Sequence, residues 1–438
     1  MTTEMIQLCF SKFLKSLPVS LAFIALSSLV ISASDGTEPL TLNQVLEQAT
    51  ENNLGLMAEK LNLTIAEATQ ITAKLRPNPV FSFSGDHLDL LGTGFDTMNN
   101  GGPPEIAWRV DVPMERAHKR QLRMETADFA KAIAEAQLMN SIRKLRMDVH
   151  TAFIDVIEAK ANLTLARDNL RTYEELVNTN QVRVKAGAIS PLELTRSEVA
   201  MLQFRGHVTR AELALSTAKI RLQSLLGRRT LTDDFDVSGE LQLPGLTEEP
   251  LLPVLQENAF TERPDLKSLQ LSQARTQSDL KLQLALGKVD YSWGSEYRRQ
   301  QGVSGKSNSL GFFFSVPLPF YNRNQGEIAR AQAQQQQFAM QMEALKAQVQ
   351  AEVKVAYQEF VTAHRLVQTI ERDLLQPAQR ARETSAYVYK SGGSSLIEFL
   401  DAQRAYNETV QSYYEAQAAY QRAIVQLNST VGKEVIHQ

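Results

Sequence analysis

The chain has 438 residues, more than one compact domain usually holds, and its charge is nearly balanced, with 46 Lys and Arg against 49 Asp and Glu. That balance speaks against a general polyanion binder, whose phosphate contacts need a basic surface. The single cysteine, Cys9, lies in a segment read as a leader, so the rest of the chain has no thiol for a disulfide, a thiolate metal site or a nucleophile.

The first residues read as a secretory signal, expected over 1–34. Lys12 and Lys15 precede an apolar run at 17–31, and Ser32, Ala33 and Ser34 offer a cleavage site. The run falls short of the ~20 residues of a spanning helix. Cys9 precedes it and cannot anchor a lipid at a mature terminus. No later apolar run approaches spanning length, so any membrane insertion of the remainder must use strands.

A first helix is expected over 42–75, ending before Pro77 and Pro79, because proline lacks an N–H and clashes with the preceding turn. Alternating runs follow. At 80–86, Phe81 and Phe83 share one face and Ser82, Ser84 and Asp86 the other; at 106–112, Ile106, Trp108, Val110 and Val112 oppose Ala107, Arg109 and Asp111. This is the period of a strand with one apolar and one polar face. A Gly/Asn-rich link at 91–103 joins the two strands, and the second stops at Pro113. A long helical hairpin is then expected over 115–227, turning at Gly187.

The plan then repeats at an offset of about 205 to 210 residues. Val182 to Gly187 is answered by Tyr387 to Gly392. Ser190, Leu192 and Glu193 are answered by Ser395, Ile397 and Glu398, and Val112-Pro113 by Val316-Pro317. The repeats are assigned to 35–227 and 251–438, with a linker at 228–250. In the second, helices from near 251 continue past Pro264 to about 286. Strands then lie in a hairpin at about 288–318, linked at 300–308, and the helical hairpin spans 324–431 with Pro377 inside it. The first hairpin's strands occupy about 79–112.

The expected fold is therefore mainly α with a small membrane β part. Helices of ~65 to 70 residues reach roughly 100 Å and must pack lengthwise as coiled coils or barrel staves. Four aromatic-faced strands have transmembrane-barrel length, yet four cannot close a barrel, and an open edge in lipid leaves backbone groups unpaired. Several subunits must share one barrel, with the helices as a coaxial tube.

The duplication, the two glycine turns with their following acids, and the joint VPLPFYNRNQGEIARAQAQ at 316–334 resemble the outer-membrane efflux protein family (TolC-like), over essentially the whole length after the leader. The joint is similar to the heavy-metal efflux (CzcC-like) branch. The resemblance implies a homotrimer with a twelve-stranded barrel in outer-membrane lipid and a helical tunnel through the periplasm. It also implies docking to a periplasmic adaptor and an inner-membrane pump, with no catalysis and no cofactor. Cargo is open: metal cations, drugs, or secreted proteins. A periplasmic adaptor or a structural coiled-coil protein are readings of another class. An adaptor would carry one hairpin, not two in tandem, and a coiled coil would not need aromatic-faced strands.

Site expectations follow. Ser190/Glu193 and Ser395/Glu398 read as capping boxes. Glu398 and Asp401, three apart on one helix face, match the family's paired constriction acids and are the gate candidates. Tyr389 matches a family tyrosine that holds the gate shut; the partner arginine would fall at Ser394. Lys185, Gly187, Ser190, Glu193, Lys390, Gly392 and Ser395 are the expected adaptor-docking tips. Pro77, Pro79, Pro113, Pro317 and Pro319 are the strand–helix joints. No metal site is expected: His87, His118, His150, His207, His364 and His437 lack ligand spacing, and His87 with Asp89 is a weak pair. No nucleic-acid partner is expected.

Overall fold

The computed structural model describes residues 39–88, 90–92, 104–232, 234–241, 249–302 and 305–436. The expected leader, Asp89, His437 and most of the first strand link lie outside the described residues. The first repeat comprises α1 Leu42–Asn52, α2 Leu54–Lys74, β1 Val80–Asp86, β2 Glu105–Met114, α3 Lys119–Lys185 and α4 Pro191–Leu225. The second comprises α5 Leu252–Glu262, α6 Pro264–Leu286, β3 Tyr291–Gly302, β4 Gly305–Ser315, α7 Gln325–Thr369, α8 Gln376–Lys390 and α9 Leu396–Val431.

At 67 residues, α3 is a single rod of ~100 Å. Its counterpart is interrupted. Between α7 and α8 the residues Ile370–Leu375 form a π turn. Pro377, in the first turn of α8, cannot donate and would strike the carbonyl one turn back. The widened turn takes up that defect without ending the rod.

The first helix is not continuous over 42–75. It breaks at Asn53, whose extended backbone separates α1 from α2 and whose side chain accepts from Leu56 N at 3.0 Å. The Asn53 amide also donates to the Leu225 carbonyl at 2.9 Å, at the end of α4. The second repeat breaks at Arg263, again extended, and Arg263 Nη1 donates to the Thr430 carbonyl at 3.2 Å, near the end of α9. Each returning helix thus abuts a break in a short pair. The approach is close: Gly227, at φ +71, would carry a Cβ only 2.2 Å from the Asn52 carbonyl oxygen.

The cores repeat as well. Val45, Ala49, Phe153 and Leu222 lie in one buried cluster; Leu255, Ala259, Phe360 and Leu427 lie in another, at the same offset in sequence. Part of the linker, around Phe235 to Ser238, is held against the first repeat. Leu40 N donates to Asp236 O at 3.1 Å and Ser238 N to Leu40 O at 2.9 Å. Phe235 and Val237 are buried in the first core, and Lys160 and Lys219 hold Asp236 at 2.9 and 3.3 Å.

The four strands form one antiparallel sheet in the order β1-β2-β3-β4, so β2 and β3 join the repeats. The strands run longer than expected at three places. β2 continues through Pro113, opposite Ser292, to Met114; proline is compatible with a strand end, where its missing N–H breaks no ladder bond. β3 and β4 extend almost across the expected 300–308 link, to Gly302 paired with Gly305. The joints are built by left-handed residues: Ala117 and His118 before α3 and Asn324 before α7 have φ of +58, +57 and +63. This delays α3 to Lys119. Asn324 is well suited to that conformation, and its amide reaches the Gln283 carbonyl at 2.8 Å.

Candidate functional site

Two regions carry the functional expectations: the sheet and the hairpin tips. The sheet's register places Phe81 opposite Val110, Phe83 opposite Trp108, Trp108 opposite Tyr297, and Trp293 opposite Phe314. All share one face. Phe81, Phe83, Trp293, Leu310, Phe312 and Phe314 are between 52 % and 78 % exposed. An aromatic face this open is the signature of a surface made for something other than water.

The opposite face is an ionic lattice. Arg109 Nε bonds Asp111 at 2.7 Å, and Arg298 bonds Glu105 at 2.8 Å and Glu296 at 2.9 Å. Phe313 breaks the alternation, but the Arg109 guanidinium covers its ring at 4.1 Å. Gly294 leaves room for the Asp111 carboxylate, which a Cβ would meet at 2.3 Å. β1 and β4 are edges without a further strand among the described residues. Of the joint prolines, Pro77, Pro79 and Pro317 are exposed, whereas Pro113 and Pro319 are half-buried.

At the tips the two repeats close α3 and α8 in the same way. Gly187 (φ +70) donates to Val184 O, and Ala188 N to Arg183 O; Gly392 (φ +79) donates to Tyr389 O, and Gly393 N to Val388 O. These are Schellman ends with glycine in the left-handed position. A Cβ at either glycine would meet nothing within 4 Å. Lys185, Lys390, Ser190 and Ser395 are exposed, and Glu193 is half-buried.

The capping boxes form only in half. Ser190 accepts from Leu192 N at 3.1 Å and Ser395 from Glu398 N at 3.3 Å. No return bond from Glu193 or Glu398 to its serine is present among the described residues, so capping does not employ either carboxylate. Glu398 and Asp401 are both exposed on the first turns of α9, with neither in a salt bridge among the described residues. Two such carboxylates on one face can attract cations and repel anions.

Tyr389 is buried, 5 % exposed, and packs in a cluster with Tyr173, Leu176, Leu396 and Phe399. Its hydroxyl donates to Asn180 Oδ1 at 2.9 Å. Arg183 lies over its ring at 5.3 Å and donates to the Lys390 carbonyl at 3.0 Å. Ser394 Oγ is buried without a partner. The cation at Tyr389 therefore comes from the first hairpin, not from position 394. Asn180 and Arg183 were not among the sequence candidates; Arg183 does lie in the repeated tip segment, which marked its neighbourhood but not its contact.

Among the described residues no group of three His, Cys, Asp or Glu side chains could hold a metal ion, and no helix is long and apolar enough to cross a membrane.

A family model described as outer membrane efflux protein matches residues 45–228 and 255–433. The chain is 24 % identical to the cobalt-zinc-cadmium resistance protein CzcC of Cupriavidus metallidurans, over 89 % of this chain and 91 % of that one. It is 23 % identical to nodulation protein T of Rhizobium leguminosarum bv. viciae, over 95 % and 84 %. Among solved structures, a CusC structure described in terms of folding and transmembrane channel formation superposes with a TM-score of 0.73 at 18 % identity, covering 90 % of this chain and 92 % of that one. The outer membrane protein VceC of Vibrio cholerae gives 0.70 at 15 %, covering 90 % and 96 %.

Proposed function

The chain belongs to the outer membrane efflux protein family, and from that premise we propose that it is one subunit of a trimeric exit duct whose four-stranded sheet supplies a third of a shared barrel. The observation that carries this is the sheet itself: an exposed aromatic face, an ionic face, and two edges unpaired among the described residues. Backbone groups at an open edge in lipid cost several kcal/mol each. Pairing β4 of one copy with β1 of the next removes every edge. Three copies give twelve strands, above the smallest closed barrels of about eight. The ionic face then lines the bore and the aromatic face meets lipid.

The long helices would continue that bore through the periplasm. Their tips are the docking points for a periplasmic adaptor at Lys185, Gly187, Ser190, Glu193, Lys390, Gly392 and Ser395. The exposed pair Glu398 and Asp401 recurs three times around the axis and makes the constriction, with Tyr389 holding its helix in place. The inner-membrane pump supplies the energy. Paired acidic rings suit metal cations, and similarity to a cobalt-zinc-cadmium resistance protein supports the same cargo.

The class is tested by purifying the chain in detergent. A heat-sensitive trimer that conducts in planar bilayers is expected; a monomer without conductance overturns it. Cargo is tested by deletion. Sensitivity to cobalt, zinc or cadmium is expected, and drug sensitivity alone would reassign the cargo.

A further inference from the structure

The geometry points to a binding site for a small aromatic carboxylate in the wall of the long helices, apart from both the sheet and the candidate gate. A cavity of about 400 Å³ opens between α3, α4 and α9, within the roughly 300–1,000 Å³ typical of small-molecule sites. It begins where the tip cluster ends, since Tyr173, Phe204 and Leu400 border both.

One wall is a ladder of rings. Tyr173 and Phe204 stack with centroids 4.2 Å apart, and Phe204 and His207 at 5.4 Å. Such a wall offers a flat apolar surface to another ring. Two amides, Asn169 and Asn407, line the floor, and Gln403 bridges them from outside the lining. Asn169, Gln403 and Asn407 are at most 9 % exposed. Gln403 Nε2 donates to Asn407 Oδ1 at 3.2 Å and reaches Asn169 Oδ1 at 3.5 Å. Asn407 Nδ2 is left buried with no acceptor. An unmade buried donor costs about 1–3 kcal/mol, and an oxygen placed beside Asn407 Nδ2 satisfies it.

The rim decides the charge of that oxygen. Arg210 of α4 and Arg404 of α9 both border the cavity, facing one carboxylate, Glu408. Neither arginine forms a salt bridge among the described residues. Burial and the neighbouring Arg210 hold the His207 imidazole below its usual range, so it adds a neutral ring rather than a third cation. Guanidinium groups bind carboxylates in bidentate fashion. A neutral aromatic molecule would leave both arginines unused, and an inorganic anion would leave the ring ladder unused. A planar ring bearing one carboxylate uses the ladder, the rim and the Asn407 donor together.

The test is isothermal titration of 1-naphthoate into the full chain in detergent. One saturable site per chain is expected. Arg404→Ala and Phe204→Ala should each weaken it by about tenfold or more, and the uncharged 1-naphthylmethanol should bind about tenfold more weakly than the acid. Glu398→Ala, at the candidate gate, should leave the affinity unchanged. Size-exclusion chromatography identifies correctly assembled variants; if either alanine variant fails to assemble, Arg404→Lys and Phe204→Leu read the same losses. Absence of saturable heat, equal binding of the charged and uncharged probes, or affinity indifferent to these substitutions overturns the site.

Discussion

The Tyr389 hydroxyl donates to Asn180 Oδ1 at 2.9 Å, tying the last turn of α8 in the second repeat to α3 in the first. The bond is buried, and the Arg183 cation covers the same ring while holding the Lys390 carbonyl. Two hairpins are thereby latched within one subunit, immediately before the turn that carries Glu398 and Asp401.

Breaking that latch should loosen the tip. Tyr389→Phe removes the donor and leaves Asn180 Oδ1 buried and unsatisfied, at a cost of about 1–3 kcal/mol. Single-channel recordings in planar bilayers should show a higher mean conductance for Tyr389→Phe and for Arg183→Ala than for wild type. Conductance equal to wild type in both would mean that the latch does not restrain the constriction.

Glu398 and Asp401 should act on the passing ion and not on the fold. Both are exposed and outside any salt bridge among the described residues, and the half-formed serine cap does not need the Glu398 carboxylate. The double replacement by alanine should leave the melting temperature within a few degrees, as for surface changes of about 0.5 kcal/mol. The same variant should raise conductance and weaken block by divalent cations. Retained block would place the constriction elsewhere.

Gly187 and Gly392 separate docking from assembly. A side chain there enters open space, so the penalty is only the left-handed backbone, about 1 kcal/mol. Gly392→Asp should therefore assemble normally, measured by heat-sensitive migration, while efflux in cells is lost. Normal efflux would remove the tips from the docking surface.

Much of this fold could be read because its signals are local. The glycine turns at Gly187 and Gly392, the alternation in the strands and the repeat offset each depend on neighbours in sequence. The break at Asn53 could not be read in the same way. Asn53 sits in a helix-compatible stretch, and its side chain reaches the end of another helix far along the chain. Asn180 was silent for the same reason: its partner lies in the other repeat. Arg263 precedes Pro264, which forces it out of the helical region, so that proline signalled a break where a continuous helix was expected. Pro377 announced an irregularity in α7–α8, but only packing decides that the rod continues through a π turn. The expected capping boxes failed at their glutamates, because a serine cap fixes only its own half of the pattern.

The junctions differ in how much they hold. Arg263 is 4 % exposed and bonds Asp265, Glu352 and the Thr430 carbonyl. Arg263→Ala leaves the part-buried Asp265 with only the more distant Arg143, at 3.9 Å, and should cost about 3 kcal/mol. Asn53→Ala loses a helix cap and one further bond, about 1–2 kcal/mol. Denaturant melts of the assembled protein should rank them in that order. Equal losses would show that the ionic cluster adds nothing to the helix junction.

His150 supplies a test with a defined pH window. Burial first, and then the charge on Arg146, push its imidazole from 6.5 down to about 4, with Glu434 opposing. The folded chain therefore keeps His150 neutral at pH values where the unfolded chain protonates it. A group with a depressed folded pKa favours the fold fully above its unfolded value and loses that favour as pH falls toward its folded value. Stability should decline between about pH 6.5 and 4. His150→Gln, a neutral side chain of similar size, cannot take up the extra proton in the unfolded state. Its melting temperature should fall less steeply across that interval than that of wild type. Parallel slopes for the two proteins would show that His150 titrates alike in both states and that the acid sensitivity arises at other groups.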